Sequence, residues 1–500
     1  MRDIRDLERV WTELTGEVGP APVRVHGDPV PLDTRFRVGD AAVISVGLAL
    51  ALAARAQEGQ AQEGQARAGR SGRGPAPGPV LDRSGAVEVF RSEQHLRVND
   101  RTIAIWDPLA GTYRAADGWV RLHTNYPHHR AAALRALDLP ADADRAAVSR
   151  VVAARTRFAV EEAVQAAGGA AGALRSPAKW QAHPQAAAVA ARPLIGIELL
   201  GPDGAATPEP VPAGTSGAAA TTGTQPATNS GPLGGLRVLD LTRVIAAPTA
   251  TKVLAALGAD VLRLDAPRFA EVAALVPDTT AGKRCARLDL RTAAGLAAFD
   301  ELVATADVLV CGLRPGALQR LGRPPAQLLR RNPGLVLAEL SAYGDTGPWA
   351  GRRGFDSLVQ LVTGIAAPDA DAVASADPDP AAAPVPLPVQ ALDHASGWLL
   401  VAGVLEALHR RRDDGRARRV GVVLARTAAW LQALGPADPG SSDGTEHDPA
   451  RAAAWLEEVD SPLGRVRRVR FPGIINGRTT RWGGPPSPLG SHEPSWPVPR

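Results

Sequence analysis

Lysine is nearly missing from this 500-residue chain: of 56 basic residues only Lys179, Lys252 and Lys283 are lysine, and the rest are arginine. With 51 glycines and 44 prolines, this reads as coding bias, and a single arginine is weak evidence of a functional site. Methionine occurs once and aromatic residues make up 4% of the chain, so the core is predicted to be leucine, valine and alanine. The two cysteines, Cys285 and Cys311, are too few for a disulfide framework. No CxxC pair and no His/Cys cluster suggests a metal. The net charge of +4 is spread along the chain, and no block of like charge marks a nucleic-acid stripe. The residues from Met1 to Asp6 are charged and lack the apolar run of a signal peptide. The longest apolar run, 41–54, is too short for a bilayer and reads as a buried helix. These absences predict a cytoplasmic globular protein whose partners are neither nucleic acid nor membrane. GxGxxG, GxxxxGK[ST] and HExxH motifs are absent too.

What is present divides the chain. Residues 203–232 form a Pro/Gly/Thr/Ala run without periodicity, read as a flexible linker. It separates a half at 1–202 from one at 233–500. Further low-complexity or loop segments are expected at 57–79, 369–384 and 436–449. The second half opens on a predicted strand at 236–241, a turn at 242–248, a helix at about 249–257 and a strand at 260–265. Helices near 293–304 and 324–331 and strands at 307–310 and 335–340 repeat the pattern. Alternating strands and helices predict an α/β, doubly wound parallel sheet. A weak internal repeat pairs 29–32 (PVPL) and the helix-like 38–55 with 384–387 (PVPL) and 392–411. Both read as a Pro-rich strand running into an Ala/Leu/Val helix, and Arg37 falls near the place of Asp393.

The second half resembles the class III CoA-transferase family, the CaiB/BaiF type of formyl-CoA and carnitine-CoA transferases and α-methylacyl-CoA racemase. The resemblance runs from Gly234 to about Arg426. It rests on GGLRVLDLTRVIAAPTATKVLAALGADVLRLDAP, GKRCARLDLRTAAG, ADVLVCGLRPGALQRLG, NPGLVLAELSAYGDTGPWAGRRGFDSLVQLVTGIA and VQALDHASGWLLVAGVLEALHRR, in that order. In the first half, 117–125 (DGWVRLHTN) and 182–199 resemble the start of the family's small domain and its return segment. The resemblance implies a Rossmann-like large domain plus a smaller α+β domain. It also implies two reduced, fused copies, forming an internal pseudo-dimer or a homodimer.

The implied activity is CoA transfer between an acyl-CoA and a small carboxylic acid, with coenzyme A as substrate and no permanently bound cofactor. The resemblance places the acylated residue at Asp393; read locally, the same aspartate is a helix N-cap. Carried over by motif, Ala246, Leu288, Arg320 and Phe355 are CoA-binding candidates. Arg320 suits a phosphate or a solvated helix face, and Leu288 suits plain core. Arg263 and Lys283 are weaker candidates. Phe355 stands where the racemase branch has its histidine, which disfavours proton abstraction. Asp356 reads as structural, His394 as pointing away from Asp393, and His128-His129 as a solvated pair. No segment matches the family's glycine-rich loop; Gly168-Gly169 and Gly483-Gly484 read as turns. Two other readings stay open, an acyl-CoA racemase or isomerase and a weakly active CoA-binding partner protein.

Overall fold

The structure is a computed structural model that describes residues 2–30, 32–68, 77–209, 231–268, 271–368, 379, 381–438 and 449–497. Most of the linker expected at 203–232 lies outside these residues, as do parts of the segments expected at 57–79, 369–384 and 436–449.

An eight-stranded sheet organises the fold, in the order Arg284–Arg287, Asp260–Asp265, Arg237–Leu241, Val308–Cys311, Val336–Ser341, Arg418–Val423, Gly196–Leu200, Ala206–Pro208. The first six strands pair in parallel. Val308–Cys311 is apolar throughout and wholly buried because both faces are covered, while neighbouring strands also bury charged groups such as Asp240 and Arg263. The order reverses between Arg237–Leu241 and Val308–Cys311, whose C-terminal ends face the crevice of an open α/β sheet. The last two strands come from the first half of the sequence. Gly196–Leu200 pairs antiparallel with Arg418–Val423.

The two halves interleave elsewhere too. Val80–Asp82 pairs with Gly473–Ile475, and Arg97–Val98 with Gly464–Val469. At the centre, the helices Val38–Ala68 and Ala391–Asp414 pack along each other. Each has a segment long and apolar enough to cross a membrane, yet these segments are 83% and 100% buried inside the protein. The 41–54 run therefore belongs to a longer helix than its apolar stretch suggests, and it is a core helix. Arg55 and Glu406 pair across the two helices. The Pro-rich strands expected before them do not form: 384–387 is irregular, as are the described residues of 29–32. Proline has no N–H to give a ladder.

One sheet belongs to the first half alone: Gly111–Ala115, Gly118–Leu122 and Ala171–Ala173, antiparallel. Its own core includes Tyr113, Val120, Val148 and Val160. It rests on the second half where Gly172 meets Leu358; a Cβ there would stand 3.1 Å from the Leu358 carbonyl oxygen. The strand predicted within 117–125 is thus found, at Gly118–Leu122.

Candidate active site

Asp393 sits in the first turn of Ala391–Asp414. That turn is pressed onto the helix Ala246–Ala256, and Gly397 permits the approach: a Cβ there would lie 2.5 Å from the Ala246 carbonyl oxygen. Helix Ala246–Ala256 starts three residues earlier than its apolar pattern predicts. Its first residue therefore belongs to the crevice.

The N-cap position belongs to Gln390, not to Asp393. Asp356, at the start of Asp356–Val362, accepts the Asp393 backbone N–H through Oδ2 at 2.9 Å. Its other carboxylate oxygen accepts from Gln360. Asp356 thus serves the helix end, and the Asp393 carboxyl makes no hydrogen bond among the described residues. Burial pushes the Asp393 carboxyl well above the usual range, and the nearby Asp356 and Glu93 carboxylates push it further. Asp356 is raised too, by burial, against the hydrogen bonds from Asp393 and Gln360 that hold it down. His394 points elsewhere. Its Nε2 lies 2.8 Å from Glu93 Oε1, and its ring stacks on Phe90.

Two cavities meet at Asp393. The outer cleft, about 390 Å³, is lined by Arg243, Val244, Ala246, Arg314, Arg320 and Arg353 among others, with Tyr126, His128 and His129 from the first half. Its floor is the set of loops after Arg237–Leu241 and Val308–Cys311, at the point where the strand order reverses. No carboxylate pairs with Arg314, Arg320 or Arg353 among the described residues. Burial and Arg320 lower the Arg314 guanidinium; burial and Arg314 lower Arg353. The wall therefore carries uncompensated positive charge, as an anion site needs. The inner cavity, about 270 Å³, is lined by Glu93, Gln94, Trp106, His123, Asn125, Ser357 and Asp356 among others. Val244, Phe355 and Asp393 line both. A larger hollow, about 880 Å³, lies around Trp455, Arg467 and Arg470 and shares no residue with these two.

Val244 holds the neck in a left-handed conformation, φ 68°, which is costly for a β-branched residue. Glu271 holds it there. Its Oε2 accepts the Val244 N–H at 3.4 Å, its Oε1 accepts the Tyr126 hydroxyl at 2.9 Å, and Arg263 anchors it at 2.6 Å. Arg263 therefore braces the neck from inside the core. Lys283 is also interior, bonding Asp240 at 3.0 Å and Thr251 at 2.6 Å.

Residues 233–455 match the family model described as CoA-transferase family III. This part of the chain is similar to CoA-transferase family III. It is 34% identical over 219 residues to the probable fatty acyl-CoA transferase Rv3272 of Mycobacterium tuberculosis, covering 40% of this chain and 52% of that protein. It is 33% identical over 227 residues to the acetyl-CoA:oxalate CoA-transferase of Acetobacter aceti, covering 42% and 56%. A crystal structure of Rv3272 aligns at 37% identity and a TM-score of 0.37, over 41% of this chain and 57% of that one. The chain spans about half the length of these curated relatives.

Of the residues carried over to the family III segment, the structure brings Asp393, Ala246, Arg320 and Phe355 to one cleft. Leu288 is elsewhere. It follows the strand Arg284–Arg287 and packs, half-buried, on the core around Phe299 and Leu337. His128-His129 is not a solvated pair: His129 is buried in the cleft wall at the start of Pro127–Ala136. Sequence reading missed Arg314, Arg353, His123, Ser357 and Glu93. A signal for the arginines was present in Arg314-Pro315 and Arg352-Arg353, set in otherwise apolar surroundings. His123 and Glu93 had none, since their role comes from the packing of one half against the other.

Proposed function

We propose that this chain moves CoA between an acyl-CoA thioester and a free carboxylic acid, with Asp393 as the residue acylated. The observation that carries this reading is an unpaired, buried carboxyl where a basic cleft and a small inner cavity meet. CoA has an elongated, phosphate-bearing body and a thioester at its tip. Arg314, Arg320 and Arg353 would hold its phosphates, Ala246 and Val244 would flank the pantetheine arm, and the acyl group would enter the inner cavity. Remote binding of this kind holds the reacting carbonyl in place.

The chemistry follows from a carboxylate nucleophile. An Asp393 oxygen attacks the thioester carbonyl, the C–S bond breaks, and CoA leaves as thiolate beside a mixed anhydride. The thiolate attacks the Asp393 carbonyl of that anhydride, releasing the acyl group as its carboxylate and leaving an aspartyl-CoA thioester. An acceptor carboxylate then attacks this thioester and expels the thiolate. The thiolate takes the acceptor's acyl group and frees Asp393. Only the ionised form of Asp393 can begin the cycle. The N-terminal end of Ala391–Asp414, partly positive, favours that form against the burial that opposes it.

The same reading takes the chain as two reduced copies fused into an internal pseudo-dimer. The packing of Val38–Ala68 on Ala391–Asp414 and the sheets shared between halves support it. So does the division of labour, in which the second half supplies the nucleophile and the first half walls in both cavities. Free, buried Cys285 and Cys311 accord with a cytoplasmic setting.

The test is intact-mass spectrometry after mixing with a panel of acyl-CoAs, quenched with hydroxylamine or borohydride. A trapped product at Asp393, absent from Asp393→Ala, is the expected result. CoA binding without any adduct would leave a non-catalytic CoA-binding protein.

A racemase reading has one observation in its favour. His123 stacks on Phe355, ring centroids 3.6 Å apart and planes within 1°, so an imidazole does stand beside the racemase position. Burial, His129 and Arg121 hold that imidazole at about 3. It is neutral at pH 7 and too weakly basic to draw a proton from a carbon beside a thioester. Incubation of a 2-methylacyl-CoA in D2O is expected to show no deuterium at that carbon.

A further inference from the structure

Resting on the reading that Asp393 is acylated, we infer that the inner cavity selects a short acyl group bearing an uncharged hydroxyl and rejects one bearing a second carboxylate. Two features of the cavity wall carry this.

The first is charge. The ionisable groups of the wall other than His123 are all acids: Glu93, Asp356 and Asp393. Among the described residues no lysine or arginine lines it. The Arg121 guanidinium packs over the Trp106 ring, 4.9 Å from its centroid, and is not part of the wall. A second carboxylate on the acyl group would be buried among acids with no arginine or lysine on the wall to pair with it, an unfavourable way to bury a charge.

The second is unmet hydrogen-bonding capacity. His123 is 3% exposed and Ser357 is 5% exposed. The Nδ1 of His123 and the Oγ of Ser357 are buried and bond no neighbour among the described residues. Two of the wall's three side-chain amides, Gln94 and Asn125 but not Gln390, have hydrogen-bond partners among the described residues. Gln94 donates to the Pro388 carbonyl at 2.8 Å, and Asn125 accepts the Asp107 N–H at 2.9 Å. An acyl group of pure hydrocarbon leaves His123 Nδ1 and Ser357 Oγ without a partner, whereas a group that can bond them gains the difference. A hydroxyl both donates and accepts, so it can serve Ser357 and either neutral tautomer of His123. The volume of about 270 Å³ suits a chain of a few carbons.

The experiment follows exchange of a labelled free acid into its own CoA thioester, so that one acyl group is read at a time. The substrates are 3-hydroxybutyryl-CoA, butyryl-CoA and succinyl-CoA, with the full chain. The expected order of kcat/KM is hydroxybutyryl first, butyryl about tenfold or more lower, and succinyl lowest. Ser357→Ala and His123→Gln are each expected to shrink the hydroxybutyryl-to-butyryl ratio by about tenfold, and Ser357→Thr to restore part of it. Succinyl-CoA exchanging as fast as hydroxybutyryl-CoA would overturn the inference while leaving the transferase reading intact. So would variants that slow both monocarboxylic substrates equally, since His123 and Ser357 would then serve the thioester carbonyl or the fold. No exchange with any of the three would overturn the transferase reading and this inference with it.

Discussion

The two cavities that share Asp393 are opposites. The outer cleft carries Arg314, Arg320 and Arg353, which meet no carboxylate among the described residues; the inner cavity is lined by the carboxyls Glu93, Asp356 and Asp393, with no arginine or lysine among its described lining residues. Each half-site is electrostatically incomplete, and each is incomplete in the sense that suits a different end of an acyl-CoA. Asp393 stands at the boundary, where the acids raise its pKa. The nucleophilic role proposed for Asp393 needs that tension. A carboxylate paired with arginine would be fully ionised and poorly reactive, whereas a carboxyl raised by burial and its acidic neighbours is a stronger base when it ionises.

The sharpest way to break the comparison is to remove the boundary. Asp393→Ala is expected to lower exchange on the order of 10^6-fold, as loss of a covalent nucleophile does, with CoA affinity kept. Isothermal titration with CoA beside the exchange assay separates the two. Asp393→Asn has a second consequence, in stability. A carboxyl whose folded pKa is raised stabilises the fold fully below its unfolded value, and that contribution is lost as pH rises through the folded value. The asparagine avoids the loss. At pH 8 the variant is expected to be more stable by about 1–2 kcal/mol, and the gain should fade toward pH 4, as calorimetry at the two pH values would show.

Next in size is the outer wall. Arg314→Ala and Arg353→Ala are each expected to raise KM for acyl-CoA about 10- to 100-fold, the range for a charge-assisted contact, with a smaller change in kcat. The loss should deepen at low salt, where unscreened arginines do most for a polyanion. A KM that ignores both substitutions would move the phosphate site off this wall.

A smaller effect tests the acids. Burial, Asp356 and Glu93 raise Asp393, so the first burst of CoA release is expected to climb with pH through a window above that of an ordinary carboxylate. Asp356→Asn keeps an oxygen for the Asp393 N–H and removes one like charge. The climb should move to lower pH by about one unit. A profile that stays in place would show that burial alone sets the nucleophile.

Sequence reading reached the second half well for a physical reason. Val308–Cys311 is apolar on both faces, Asp260–Asp265 carries an apolar core at Val261, Leu262 and Leu264, and Gly258 closes the helix before it, so the elements are marked locally. The strand at 260–265 and the helix at 293–304 were legible to the residue. The site was half legible. Asp393 and the turn at 244–248 each lie in a continuous local motif. His123, Glu93 and Tyr126 reach the same place only because Gly196–Leu200 joins the second half's sheet and Val38–Ala68 lies along Ala391–Asp414. No local period encodes such a meeting. The arginines failed differently: in a chain with 56 basic residues, a functional arginine looks like its neighbours until its lack of a carboxylate partner is seen in space.

Leu288 offers the smallest test and separates motif from place. The family motif makes it a CoA contact; the structure sets it on the core with Phe299 and Leu337, outside the cleft wall. Its backbone N–H donates to the Asp265 carbonyl at 2.9 Å, a bond that any residue keeps. Truncation therefore removes packing alone. Leu288→Ala is expected to cost about 1–2 kcal/mol in denaturant unfolding, toward the low end for leucine because the side chain is half-buried, with KM for acyl-CoA unchanged. A raised KM at unchanged stability would bring the far edge of the sheet into the CoA site and extend the cleft beyond the loops after Arg237–Leu241 and Val308–Cys311.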